Sequence, residues 1–136
     1  DDAAIVNWGN EWRTPTNDEF QELNTNFASI MIMKTWIDDY QGTGIAGKIF
    51  VNTERWWDTL FLPAAGEMGF SNTSRPVEGE STSGLYWTST LITTSALMNN
   101  RTHAYIYGFY SMGTAPIADQ YRMYGLSVRP VRSKNN

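Results

Sequence analysis

The sequence predicts an α+β fold, with two short N-terminal helices followed by a mostly antiparallel, loop-rich sheet. Three observations lead there. Helix-start signals cluster at the beginning of the chain. Short apolar runs of strand composition, separated by glycine-bearing or Ser/Thr-rich loops, fill the remainder. The 136 residues suit one domain and can bury a core without covalent staples, so 1–136 is read as a single domain.

The first helix is expected over Asp2–Asn7, stopped by Gly9, with Trp8 and Trp12 flanking the stop as core residues. The second is better marked. In Thr14-Pro15-Thr16-Asn17-Asp18-Glu19, Thr16 is placed to cap the next turn and Glu19 stands three residues on, as a capping box requires. Asp18 and Glu19 suit the positive end of the helix dipole, and Phe20 and Leu23 fall on one face. Strands are expected at 27–33 and Thr35–Ile37. Beyond the glycine-bearing loop Asp38–Gly47, further strands are expected at Lys48–Val51 and Leu60–Leu62. Ser71–Gly84 reads as a polar loop. The last strands are expected at Leu85–Ser89, Ala104–Ser111 and Leu126–Arg132. No internal repeat or heptad is present.

Composition narrows the function. Apolar residues make up 41% and aromatics 14%, which argues for a packed chain. A net charge of −4 with no Lys/Arg cluster argues against a nucleic-acid partner. The absence of cysteine excludes disulfides, thiolate metal sites and thiol catalysis. No apolar run approaches the ~18 residues a membrane span needs, so no membrane insertion is expected. The chain begins at Asp1 without a Met, as a mature or trimmed product would.

Few residues suggest chemistry. His103 is the lone histidine and no G-x-S-x-G elbow accompanies it, so it reads as a surface or binding residue rather than a catalytic one. Asp38-Asp39 before the glycine-bearing loop offers oxygen ligands for calcium, but not at EF-hand spacing, and turn residues are the simpler reading. Trp56-Trp57 either stacks on a sugar ring or divides between core and edge. Asn72-Thr73-Ser74 and Asn100-Arg101-Thr102 match the glycosylation sequon. No cofactor is expected. The tyrosine-rich segment from 104 to 124 is the sharpest signal, because tyrosine combines a large apolar face, a polar tip and few rotatable bonds. Alternation with Phe109 inward sends Tyr105 and Tyr107 to the core and Ile106, Gly108 and Tyr110 to solvent.

Four strings together carry a resemblance. They are Trp8-Gly9 with Trp12-Arg13-Thr14-Pro15-Thr16, then Phe61-Leu62-Pro63-Ala64-Ala65-Gly66, then Gly84-Leu85-Tyr86-Trp87-Thr88-Ser89-Thr90, and finally Arg122-Met123-Tyr124-Gly125-Leu126-Ser127-Val128-Arg129-Pro130-Val131. In order and spacing the chain resembles the Fibrobacter succinogenes major paralogous domain, over nearly its whole length. That family resembles the formylglycine-generating branch of the C-type lectin fold, so the resemblance implies a C-type-lectin-like fold. The enzymes of that branch rely on cysteines, which are lacking here, so it implies fold and not catalysis. The strings of calcium-dependent sugar-binding lectins (Glu-Pro-Asn, Gln-Pro-Asp, Trp-Asn-Asp) do not occur.

The same ending also resembles the variable proteins of diversity-generating retroelements, in which template adenines are randomised, mainly at Asn codons. Lys, Glu, Gln, Met and Trp cannot arise at such codons. From Thr88 to Arg132 there is no Lys, Glu or Trp, where average composition gives about five Lys plus Glu. Met98, Met112, Gln120 and Met123 are then fixed positions. The resemblance implies a variable, ligand-binding region over about 84–132. Its exposed positions would be Ile92, Thr93, Thr94, Asn100, Arg101, His103, Ile106, Gly108, Tyr110, Tyr121 and Tyr124. Trp87, Phe109, Arg122, Gly125 and Val128 would be framework. A strand that pairs with the last one is usual at the start of this fold, and none is legible before Asp2.

The expectation is a non-enzymatic domain on a phage or bacterial surface that binds a protein ligand or receptor rather than a glycan. The competing expectation is a structural or adhesive module of an envelope, fimbria or tail without a variable site. The oligomeric state is open.

Overall fold

The computed structural model describes residues 2–25, 32–69, 77–93 and 102–133. Within them the chain is α+β, with few short helices and mostly antiparallel strand pairs.

Helix α1 spans Ala3–Trp8. Asp2 caps it by accepting from the Ala4 amide at 2.8 Å, and Gly9 ends it at φ +91°, a conformation that favours glycine. The same carboxylate accepts from the Thr14 amide and hydroxyl at 2.8 and 2.7 Å, tying the helix to the chain beyond it. Trp8 is exposed and Trp12 half-buried, which corrects the expectation that both are core. A six-residue helix buries only one side, and here Ala4 alone fills it.

Strand β1, Trp12–Arg13, pairs antiparallel with the last strand, Val131–Arg132, in register Trp12↔Arg132. This is the N-terminal partner of the final strand. It follows α1 in the chain. An exposed Glu11–Arg132 ion pair at 2.6 Å flanks it.

Helix α2, Asn17–Glu22, carries the expected capping box. Thr16 Oγ1 accepts from the Glu19 amide at 3.2 Å and Glu19 Oε2 accepts from the Thr16 amide at 2.9 Å, an arrangement worth about 1 kcal/mol. Phe20 points inward and stacks on Tyr107 with centroids 4.7 Å apart.

Strands β2 (Ile32–Ile37), β3 (Gly47–Asn52) and β4 (Thr59–Pro63) form an antiparallel meander. The 27–31 part of the first expected strand lies outside the described residues. A small ribbon pairs β5 (Glu67–Met68) with β6 (Val77–Glu78), neither of which the sequence announced. The second sheet has the order β7 (Ser83–Trp87), β8 (His103–Tyr110), β9 (Gly113–Tyr121). Residues Leu126–Arg132, expected as one strand, give only the terminal β10, Val131–Arg132, and a parallel bridge of Ser127 to Tyr86. Pro130 supplies no amide to a ladder and interrupts it.

The core gathers Phe20, Phe50, Leu62, Tyr86, Tyr107 and Phe109 from α2 and both sheets. Trp36 meets Phe109 edge-on at 6.3 Å, and Tyr86 donates to the Pro63 carbonyl at 2.7 Å. Burial pushes the Tyr86 phenol up, and pushes that of Tyr107 up to about 12 against the opposing effect of its hydrogen bond to Asn24. Lys48 lies 5.9 Å above the rings of both Phe50 and Phe109, and burial, aided by Lys34, lowers its pKa.

Candidate functional site

The strand phase chosen for 104–110 holds for the core side and fails for the other. Tyr107 and Phe109 are fully buried, while Tyr105 is half-buried. Ile106, expected outward, is 4% exposed, and Gly108 is also buried. The second face of the sheet is covered here as well. β8 is the central strand, and on its second face Ile106 and Gly108 sit opposite Trp87 and Leu85 of β7. Leu85 is itself buried. A strand covered on both faces has no solvent side for alternation to reveal.

Two further corrections follow, at Ile92 and His103. Ile92 is buried, so it is interior rather than a contact. His103 is 8% exposed and lies under Tyr121, ring centroids 4.0 Å apart, with Nδ1 2.8 Å from Thr102 Oγ1. It supports the surface instead of forming it. Tyr110 is exposed, but not beside Tyr121. Tyr110 pairs with Gly113 at one end of β8, whereas Tyr121 pairs with His103 at the other. Seven residues at ~3.3 Å each separate the ends by roughly 23 Å. Thr93 is exposed, and Thr94, Asn100 and Arg101, with the Asn72 sequon, lie outside the described residues.

What the structure brings together is the His103 end of the β8–β9 ladder. Tyr121 is 46% exposed, and Tyr124 stands edge-on to it at 6.0 Å. The turn joining them is closed by the Tyr124 amide donating to the Tyr121 carbonyl at 3.0 Å. Arg122 pins this turn to β8: its amide donates to the Thr102 carbonyl at 2.7 Å and its Nε to the His103 carbonyl at 2.8 Å. Exposed Met123 sits in the turn. Exposed Met68 lies next to it in the fold, because Met68 and Gly125 exchange amide–carbonyl bonds at 2.8 and 2.9 Å. Gln120 also donates to Glu67 at 2.9 Å, fastening β9 to β5. Two tyrosines and two methionines thus share a surface whose backbone is fixed at every step.

Beside this surface is a pocket of about 470 Å³ lined by Arg122, Trp87, Leu91, Val128, Thr88 and Asp2, among others. Burial works to raise the Asp2 carboxyl, but bonds from Thr14 and the amides of Ala4 and Ile5 outweigh it and hold it below its ordinary range.

Comparison of the chain with protein-family models, with curated proteins and with solved structures finds no match.

Met68, Leu91, Arg122 and Met123 were missed as surface or pocket residues. Arg122 was assigned to framework, which its two backbone contacts justify only in part. The available signal was an apolar Met123 between Arg122 and Tyr124 in a turn. Trp56 and Trp57 are 73% and 68% exposed on the β3–β4 hairpin, meeting edge-on at 5.8 Å, so neither enters the core. Asp38 accepts from the Trp36 indole and Asp39 from the Gly44 amide, as turn residues do. Among the described residues no three His, Asp or Glu side chains stand together as a metal cluster would require, and no helix is long and apolar enough to cross a membrane.

Proposed function

We propose that this chain is a ligand-binding domain of C-type-lectin-like fold that performs no chemistry. It is displayed on a phage or bacterial surface and recognises a protein ligand or receptor. The observation that carries this reading is the Tyr121–Tyr124 pair, flanked by exposed Met68 and Met123 and backed by buried His103. Aromatic rings held on a fixed backbone lose little conformational entropy on binding, and methionine adapts to varied partners. The pairing of β1 with β10 supports the lectin-like reading, since it joins the early chain to its final strand.

In this reading the ladder is a constant frame, and Tyr121, Tyr124 and Thr93 are positions open to diversification. Both tyrosines are reachable from adenine-bearing codons, whereas Met123 and Gln120 are not. Sequencing the locus tests this. A near-identical copy of the coding sequence for 84–132 beside a reverse transcriptase gene, differing at adenines, is the expected result. A locus without that copy contradicts diversification. It would favour an adhesive module with a fixed surface, which the exposed Trp56–Trp57 pair also suits.

A further inference from the structure

We propose that the pocket beside the aromatic surface receives a carboxylate of the ligand, held end-on by the two Nη atoms of Arg122. This rests on reading the His103 end of the β8–β9 ladder as the binding surface, and it names the group that surface selects.

The geometry of Arg122 is the starting point. Its Nε is committed to the His103 carbonyl at 2.8 Å and its amide to the Thr102 carbonyl, so the side chain is anchored near the guanidinium. Nη1 and Nη2 make no hydrogen bond or ion pair with the described residues. An anchored guanidinium whose two Nη atoms have no partner among the described residues presents the two-toothed donor pattern that pairs with a carboxylate. Fixing Nε beforehand reduces the entropy lost when the pair forms.

The pocket supplies the rest. Its volume of about 470 Å³ falls in the ordinary range for small-ligand sites, ~300–1,000 Å³. Trp87, Leu91 and Val128 offer apolar contact to the methylenes of an acidic side chain, and Ser89 adds a polar lining residue, while the Thr88 hydroxyl is already donated to the Tyr105 carbonyl. Asp2 also lines it, with both oxygens already accepting from Ala4 and Thr14. Its negative charge opposes a phosphate dianion more strongly than a monoanion, and the bonds from Ala4 and Thr14 offset part of that charge. A carboxylate reaches such a pocket either from an Asp or Glu side chain or from a chain terminus.

The test is an amide and indole NMR titration of the whole protein with four short peptides. N-acetyl-Gly-Glu-Gly-amide and N-acetyl-Gly-Gln-Gly-amide probe a side-chain carboxylate. N-acetyl-Gly-Gly-Gly acid and its amide probe a terminal one. The expected result is saturable shifts of the Trp87 indole and the Arg122 Nε–H with one or both acids, at least roughly tenfold weaker with the matching neutral peptide. Arg122→Gln should weaken the acid response by the same factor. Leu91→Trp, which leaves the guanidinium intact and narrows the pocket, should weaken it too. Equal responses to acid and neutral peptides overturn the proposal, as does the absence of any shift at Trp87 and Arg122. Charge-independent shifts confined to Tyr121 and Tyr124 also overturn it, while leaving the binding surface itself standing.

Discussion

The ring of Phe109 occupies the space that a side chain on Gly84 would need: a β-carbon there would lie 2.1 Å from Phe109 Cζ. The two residues are direct partners across β7 and β8, so neither strand can yield without losing register. Gly84→Ala should therefore destabilise the fold by about 1–3 kcal/mol, the usual cost of overfilling a packed core. Urea unfolding checks this through the transition midpoint, with an unchanged slope.

Acid should weaken the N-terminal region through Glu19. Hydrogen bonds donated by Arg13, at 2.5 and 2.7 Å, outweigh burial and lower its pKa from 4.5 to about 2. A depressed carboxylate stabilises above its unfolded pKa, and that contribution is lost as pH falls from about 4.5 towards 2. Both partners are more than a third exposed, so solvent screens most of what the shift would imply. Glu19→Gln should cost about 0.5–1 kcal/mol at neutral pH, and the gap to the native protein should close near pH 2. A gap that stays constant with pH contradicts the assignment.

The sequence made α2 legible because a capping box is local: Thr16, Glu19 and Phe20 need no distant partner to be recognised. β1 was not legible, since two residues carry no period and acquire meaning only opposite Val131–Arg132. β9 escaped for another reason. Pro116 and small residues lower its strand signal, and the register slips between Ile106 and Gly108, where the pairing passes from Ala118 to Ala115. The candidate site was half legible. Tyrosine content pointed to Tyr121 and Tyr124, but a one-dimensional pattern placed Ile106, Gly108 and Tyr110 with them. Burial in the folded chain shows that the first two are covered, and the β8–β9 register puts the third at the far end of the strand.

Trp56 and Trp57 contribute surface and not core. The hairpin that carries them is held by its own bonds, with Asn52 Oδ1 accepting from the Glu54 and Arg55 amides at 3.0 and 3.2 Å. Replacing both indoles by alanine should change stability by no more than about 0.5 kcal/mol. Thermal unfolding followed by circular dichroism is the check, and a much larger drop would mean that the pair is buried in solution.

The most direct measurement is adsorption of the fluorescently labelled domain to a panel of intact bacterial cells, compared among native protein, Tyr121→Ala/Tyr124→Ala and Tyr110→Ala. The double variant should lose adsorption by ~tenfold or more, as expected when central aromatic anchors are removed. Its unfolding midpoint should stay close to native, because Tyr121 is half in solvent. Tyr110→Ala should adsorb as the native protein does. Native adsorption by the double variant, or loss of adsorption in Tyr110→Ala alone, would contradict the placement of the binding surface at the His103 end of the ladder.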